Sequence, residues 1–234
     1  TGYSHRASIH DDNCHPFLYP EFRLALAHNG GLPGWREMRS DIMAASKPEI
    51  VRHLAGSTDT ETLYCLLMSQ YDDPTRDMSS AEIIDGLTRF MQKIVEIKKR
   101  HGNRKIAKLK FFLADGNDLV VANMGLGLDY ATEIDTSWED VRHSTPGTDE
   151  HKIAGVIEPV WYLSGSDYGE QFDGDRAGQF TMRHRGTDAT DAVIISSEHL
   201  TADPSDWTPV DFQHVVFFRR GETGCQVEVQ RLSI

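Results

Sequence analysis

Three short clusters in the sequence carry residue types that could do chemistry. In Ala25-Leu26-Ala27-His28-Asn29-Gly30, apolar alternation runs into an Asn-Gly step. A strand ending this way can bring a carboxamide donor and an unobstructed backbone N–H to one point, as stabilising a developing oxyanion requires. The same dipeptide also makes an ordinary hairpin turn. Ser57-Thr58-Asp59-Thr60-Glu61 opens an apolar run, and Asp59 there could hold a substrate ammonium group or simply take part in helix capping. His10, Asp11, Asp12, Cys14 and His15 crowd the third cluster. Their spacing fits no zinc pattern and no second ligand pair follows, so neither a metal nor a cofactor is expected. Cys14 could be a nucleophile, but nothing in the sequence orients a base toward it.

The elements that would position these residues are legible by period. Phe22–Ala27 alternates as a strand and is expected to stop at the breaker His28-Asn29-Gly30-Gly31. Helices are expected over Trp35–Ala45 and Pro48–Leu54, the second capped by Ser46. Thr58 and Glu61 match a capping box ahead of Leu63–Met68. A longer helix starts at Ser79 or Ser80 and ends at His101. It shows Ile83, Leu87, Phe90, Ile94 and Ile97 on one face and is closed by Gly102. Beyond it come strands at Ala107–Leu113, Leu119–Ala122, Val160–Leu163, Gly178–Arg183, Ala192–Ser196, His214–Arg219 and Gln226–Leu232. Turns at Ala114–Asp118 and Gly221–Gly224 make hairpins, and Asp129–Asp149 and Ser164–Asp175 are expected to be polar loops. Helices cluster between 33 and 101 with strands on either side, which predicts an α+β fold and not a doubly wound parallel sheet.

Composition narrows the function. The 234 residues are 39% hydrophobic, enough for a packed core and too much for wholesale disorder. With 36 acidic and 24 basic side chains the formal charge is −12, which argues against a nucleic-acid partner. The most basic stretch, Lys98–Lys110, is expected to be a helix end running into a strand. No apolar run approaches the roughly 20 residues of a membrane helix, so no membrane partner is expected. Three scattered cysteines and no secretory leader point to a reducing, cytoplasmic location.

The order of the clusters adds a resemblance. Asn13-Cys14-His15-Pro16-Phe17, then His28-Asn29-Gly30, then Ser57-Thr58-Asp59-Thr60-Glu61 before an apolar helix resembles the class II, N-terminal-nucleophile glutamine amidotransferase family. The likeness is strongest to its stand-alone branch, the γ-glutamyl amidohydrolases of glutathione degradation and ergothioneine synthesis. Trp161-Tyr162-Leu163-Ser164-Gly165 is similar to that branch's "LYYSSG" strand. Ser197-Glu198-His199-Leu200-Thr201, followed by Trp207, is similar to its "SEPLT…W" signature, with His199 in place of Pro.

The resemblance implies a four-layer αββα sandwich and hydrolysis of glutamine or a γ-glutamyl amide by an N-terminal cysteine whose own α-amino group is the base. It makes Asn29 and Gly30 the oxyanion hole, gives the substrate's ammonium to Asp59, and places His15 in the pocket wall. Thr1 would be the tail of an Arg-x-x-Thr segment that clamps the substrate's carboxylate, with Arg6 as a substitute for that Arg. In the family, the nucleophile precedes the His-Asn-Gly motif by many tens of residues. The first strands and the cysteine are therefore expected to lie ahead of Thr1, leaving the chain as given inactive. Thr1 is a poor nucleophile candidate, since too little chain separates it from Asn29. Ammonia transfer would need a partner enzyme subunit. The alternative is a non-catalytic, γ-glutamyl-binding or regulatory subunit with a degenerate amidotransferase fold.

Overall fold

The computed structural model describes residues 10–170, 180–183, 192–221 and 224–234. Its elements, in chain order, begin with β1 (Ala25–Gly31), α1 (Trp35–Ala44), α2 (Pro48–Val51), α3 (Asp59–Met68) and α4 (Ser80–Arg100). There follow β2 (Ala107–Ala114), β3 (Leu119–Leu126), α5 (Trp138–Val141) and α6 (Asp149–Ile157). The remaining strands are β4 (Val160–Gly165), β5 (Asp167–Glu170), β6 (Phe180–Arg183), β7 (Ala192–Ser196), β8 (Thr208–Val210), β9 (His214–Gly221) and β10 (Gly224–Arg231).

All described pairings are antiparallel. The main sheet has the order β1-β2-β3-β9-β10. Successive side chains of a strand point to opposite faces, and here both faces are covered. Leu109, Phe111 and Leu113 of β2, Val120, Ala122 and Met124 of β3, and Val215 and Phe217 of β9 pack against α1, α3 and α4. The intervening Val121, Val216 and Phe218, with Phe112 and Leu119, meet Val160, Tyr162, Val193, Ile195 and Val210 of a second sheet, order β7-β4-β8. The described residues therefore stack as helices, sheet and sheet. Double coverage is why β3 is a nearly unbroken apolar run and not an alternating one.

Helix α3 lies deepest: every residue from Thr60 to Met68 is buried. Helix α4 is amphipathic. A full capping box at Ser79 and Glu82 starts it, and Gly102, at φ +59°, turns the chain away after it. The basic stretch that follows is partly turned inward and partly paired: Arg100 meets Asp41 and Glu96, and Arg104 meets Asp129. Lys98 is fully buried and donates to the Lys105 carbonyl at 2.6 Å, and Lys110 is 2% exposed. No described helix is long and apolar enough to cross a membrane.

The α+β class and most elements agree with the sequence, and several boundaries are corrected. β1 starts later and runs through His28-Asn29-Gly30-Gly31, because pairing with Lys110, Leu109 and Lys108 continues there and sustains the strand despite its turn-like composition. Ser46 does not cap α2; its hydroxyl donates back to the Ile42 carbonyl, and Lys47 stands at the cap position. The expected loop 129–149 contains α5 and leads into α6, and 164–175 contains β5, paired to β6. Residues 171–179 and 222–223, parts of an expected loop, strand and turn, lie outside the described residues.

Along its outer side, β1 is held by one bridge among the described residues. Phe17 and Leu26 exchange both backbone hydrogen bonds at 2.8 Å, and the Phe17 ring is 6% exposed in the helix-side core. Phe17→Ala is expected to cost about 3 kcal/mol of stability, measured by urea unfolding.

Candidate functional site

Because Leu26 directs its N–H and C=O outward to Phe17, the alternation of an antiparallel strand sends those of His28 and Gly30 to the same side. No further strand pairs with β1 there among the described residues. The Gly30 N–H thus lies on an open sheet edge. Gly30 is bound to be glycine twice over: its φ is +137°, and a β-carbon would stand 2.1 Å from the Lys108 carbonyl oxygen. The Asn29 side chain is exposed and shares the second-sheet face with its cross-strand partner Lys110.

Helix α3 brings its first turn to the end of the same strand. Thr58 caps it, accepting from the Glu61 N–H at 3.1 Å. Glu61 does not complete a reciprocal box. Its buried carboxylate instead accepts from the backbone of Ala55 at 2.9 Å and Gly56 at 2.7 Å, ordering the approach to the helix. The Asp59 carboxylate is thereby fixed beside β1. Its Oδ2 accepts from the Leu32 N–H at 3.3 Å and lies 3.4 Å from where a β-carbon on Gly31 would be. Asp59 is half-buried, and a carboxylate at a helix N-terminus is also favoured by the helix dipole.

The segment before β1 closes the group. The Asn13 Oδ1 accepts from the Ser57 N–H at 2.8 Å. At Gly56 a β-carbon would strike the Asp12 carbonyl oxygen at 2.3 Å, so the two segments are in van der Waals contact only because residue 56 is glycine. This tether, with the Phe17 bridge, carries His15 over the site. The His15 ring packs edge-on against Phe17 with centroids 5.3 Å apart. Partial burial lowers its pKa from 6.5, and the nearby Asp59 carboxylate offsets only part of that shift.

His28 lies beneath the group, 8% exposed. Its Nδ1 is 3.0 Å from the Thr60 hydroxyl and its Nε2 is 3.2 Å from the Lys108 carbonyl oxygen. Burial lowers the His28 pKa from 6.5; Asp59 and the Lys108 carbonyl act to raise it, and His15 adds to the lowering.

His15, Asn29, Gly30 and Asp59 are thus gathered around one open edge, while Thr1 and Arg6 lie outside the described residues. Sequence patterns singled out neither His28 nor Thr60 for a role. The available signal was parity, since His28 falls two residues after the buried Leu26. Of the cysteines, Cys65 is buried in α3, with its thiol pushed up to about 11 chiefly by burial. Burial also raises Cys225. Cys14 is exposed and its Sγ faces the His10 carbonyl at 3.6 Å. The Ser197–Thr201 signature lies at the second sheet. His199 sits between Trp161, with centroids 4.3 Å apart, and Trp207, and the Trp207 Nε1–H donates to the Thr201 hydroxyl at 2.9 Å.

A family model described as class-II glutamine amidotransferases matches residues 4–131, just over half of the chain and all of the gathered edge. The chain belongs to the class II glutamine amidotransferases. It is 23% identical over 223 residues to the probable glutamine amidotransferase DUG3 of Saccharomyces cerevisiae. That match covers 91% of this chain and 54% of the yeast protein, so the chain spans about half the length of this curated relative. Among solved structures, a glutamine aminotransferase class-II domain protein from Silicibacter pomeroyi superposes with a TM-score of 0.57 at 20% identity, covering 96% of this chain and 74% of that one. A predicted glutamine amidotransferase from Pseudomonas aeruginosa gives 0.52 at 18% identity, covering 90% and 64%. At these identities the two structures are likenesses of fold.

Two outcomes follow from this geometry. Gly30→Ala is expected to destabilise the protein by about 2 kcal/mol or more, because the backbone must leave its left-handed conformation; thermal unfolding reads this. For His28, the folded pKa is below the unfolded value, so the unfolded chain binds the extra proton first. The stability it contributes is complete above pH 6.5 and is lost as pH falls through the lowered value. The stability difference between the protein and His28→Gln should therefore shrink as pH is lowered from 7.5 to 5 in parallel denaturation series.

Proposed function

We propose that this protein hydrolyses the γ-amide of glutamine or of a γ-glutamyl compound, with an N-terminal cysteine supplied ahead of Thr1 as nucleophile. The observation that carries the proposal is the open edge of β1 at Gly30, with the Asn29 side chain on one side and the Asp59 carboxylate on the other. A γ-glutamyl headgroup has a cation at one end and a reacting carbonyl a few ångströms away, and this edge offers an anion and a pair of donors in that order.

In this mechanism the α-ammonium of the substrate sits at Asp59. The cysteine thiol gives its proton to its own α-amino group as sulfur attacks the γ-carbonyl carbon. Negative charge on the carbonyl oxygen is met by the Asn29 carboxamide and by the Gly30 N–H, which the strand holds in place before charge develops. Collapse expels ammonia or an amine, which takes the proton, and leaves a thioester. Water then adds to the thioester, and release of the thiol yields glutamate. His15, whose pKa desolvation lowers against the opposing pull of Asp59, shapes the pocket beside the ammonium. The substrate's carboxylate falls to an Arg ahead of Thr1, with Thr1 beside it. Completed by the preceding strands, the helix–sheet–sheet stack becomes the four-layer αββα sandwich. The free thiols fit a cytoplasmic setting. Hydrolysis needs no second active site, whereas transfer of the released ammonia would require a synthase site, on this protein or on a partner enzyme.

The test is glutamate release from glutamine and from a γ-glutamyl peptide by the gene product carrying its natural N-terminus. Asn29→Ala is expected to lower kcat by about 10²–10³-fold. Asp59→Asn should act mainly on KM, raising it by about tenfold or more, the worth of one hydrogen bond to a charged group. Binding of glutamate without release of any product would instead identify a binding or regulatory subunit.

A further inference from the structure

We propose that His28 is the positioning residue of this site: its ring locks the Asn29–Gly30 edge of β1 to the turn of α3 that carries Asp59. The inference deepens the amidohydrolase mechanism, and its catalytic half rests on that mechanism.

The need for such a lock comes from the sheet. Among the described residues, β1 at residues 28–30 pairs with β2 alone, and those ladder hydrogen bonds fix its position against β2 but not against the helix layer. Asn29 and Gly30 belong to the strand, and Asp59 belongs to the helix. If the two drift, donors and carboxylate no longer match one substrate. His28 directly precedes Asn29, and Thr60 directly follows Asp59. Their side chains meet at 3.0 Å, both buried.

The second bond decides how the ring works. The Lys108 carbonyl oxygen can only accept, so Nε2 carries the hydrogen. In the neutral ring Nδ1 is then an acceptor, and the Thr60 hydroxyl donates to it. One side chain thus joins β1, β2 and α3 through one donated and one accepted bond, and the Phe111 ring, edge-on at 5.2 Å and 88°, prevents it from swinging away. A residue present only to fill space would need neither bond.

The test separates the lock from packing. His28→Phe keeps the volume and removes both bonds. His28→Gln keeps one donor and one acceptor. Thr60→Val cuts the bond from the other side. In the full-length protein, His28→Phe and Thr60→Val are each expected to lower kcat by about 10²-fold, the scale of an ångström-level misplacement, with KM changed by less than about threefold. The double variant should be no worse than either single one, and His28→Gln should recover at least about a tenth of the kcat. Amide hydrogen exchange at Asn29–Leu32 and at Thr60–Glu61 should speed up together in His28→Phe and return toward the parent in His28→Gln. Full kcat in His28→Phe overturns the proposal, as does unchanged exchange at both segments. If the parent protein releases no glutamate, the hydrolase mechanism fails. The exchange series still decides the lock, which stands if the two segments loosen together and falls if they do not.

Discussion

A sheet satisfies its backbone by pairing, and it has unpaired donors to offer only along an edge. Everything at this site follows from β1 being such an edge. Phe17 covers the strand at Leu26, and among the described residues no strand meets the next outward-facing groups, at His28 and Gly30. An exposed edge is normally a hazard because it invites another chain. Here it is short, flanked by the charge of Asp59 and roofed by the segment carrying His15. Among the described residues these groups leave the backbone of His28 and Gly30 open on that side.

That arrangement is built from neighbours that are close in space and far apart in sequence. Asn13 ties to Ser57, Asp59 to Leu32, and His28 to Lys108. Each joins two segments far apart in sequence, and each contains at least one backbone group, which cannot change rotamer. Two glycines, at 30 and 56, remove the β-carbons that would keep these segments apart. Glu61, spent on the backbone of Ala55 and Gly56, holds the entry to α3 rigid. The membership in class II glutamine amidotransferases gives this edge a chemical context, and the geometry explains why the family's short motifs can lie so far apart along the chain.

Much of this was legible in the residues. The recurrence at three- and four-residue spacings from Ile83 to Ile97, with Ser79 before it and Gly102 after it, defined α4. The Ala114–Asp118 turn gave the β2–β3 hairpin, and the helix-then-strand segregation gave the α+β class. Asn29, Gly30, Asp59 and His15 stood out by type and order. The misses have physical causes. His-Asn-Gly-Gly has turn chemistry, yet cross-strand pairing carried β1 through it. Helix α6 was hidden because its first turn is charged and only its last turns are buried. Strand β5 is four residues long and draws its definition from β6. His28 escaped notice as a functional side chain because its partners, Thr60 and Lys108, are 32 and 80 residues away.

The second face of the main sheet has two different ends. Val121, Val216 and Phe218 meet the neighbouring sheet through apolar contact, which has no preferred direction and tolerates small slides. Toward Asn29 the face turns polar. The Asn123 amide donates to the carbonyls of Glu158 and Val210, and Lys110 pairs with the Glu158 carboxylate. Directional bonds of this kind admit one registration of the layers and penalise the next. The end of the sheet pair bordering Asn29 is therefore set in one registration by directional bonds, while apolar contact alone holds the far end.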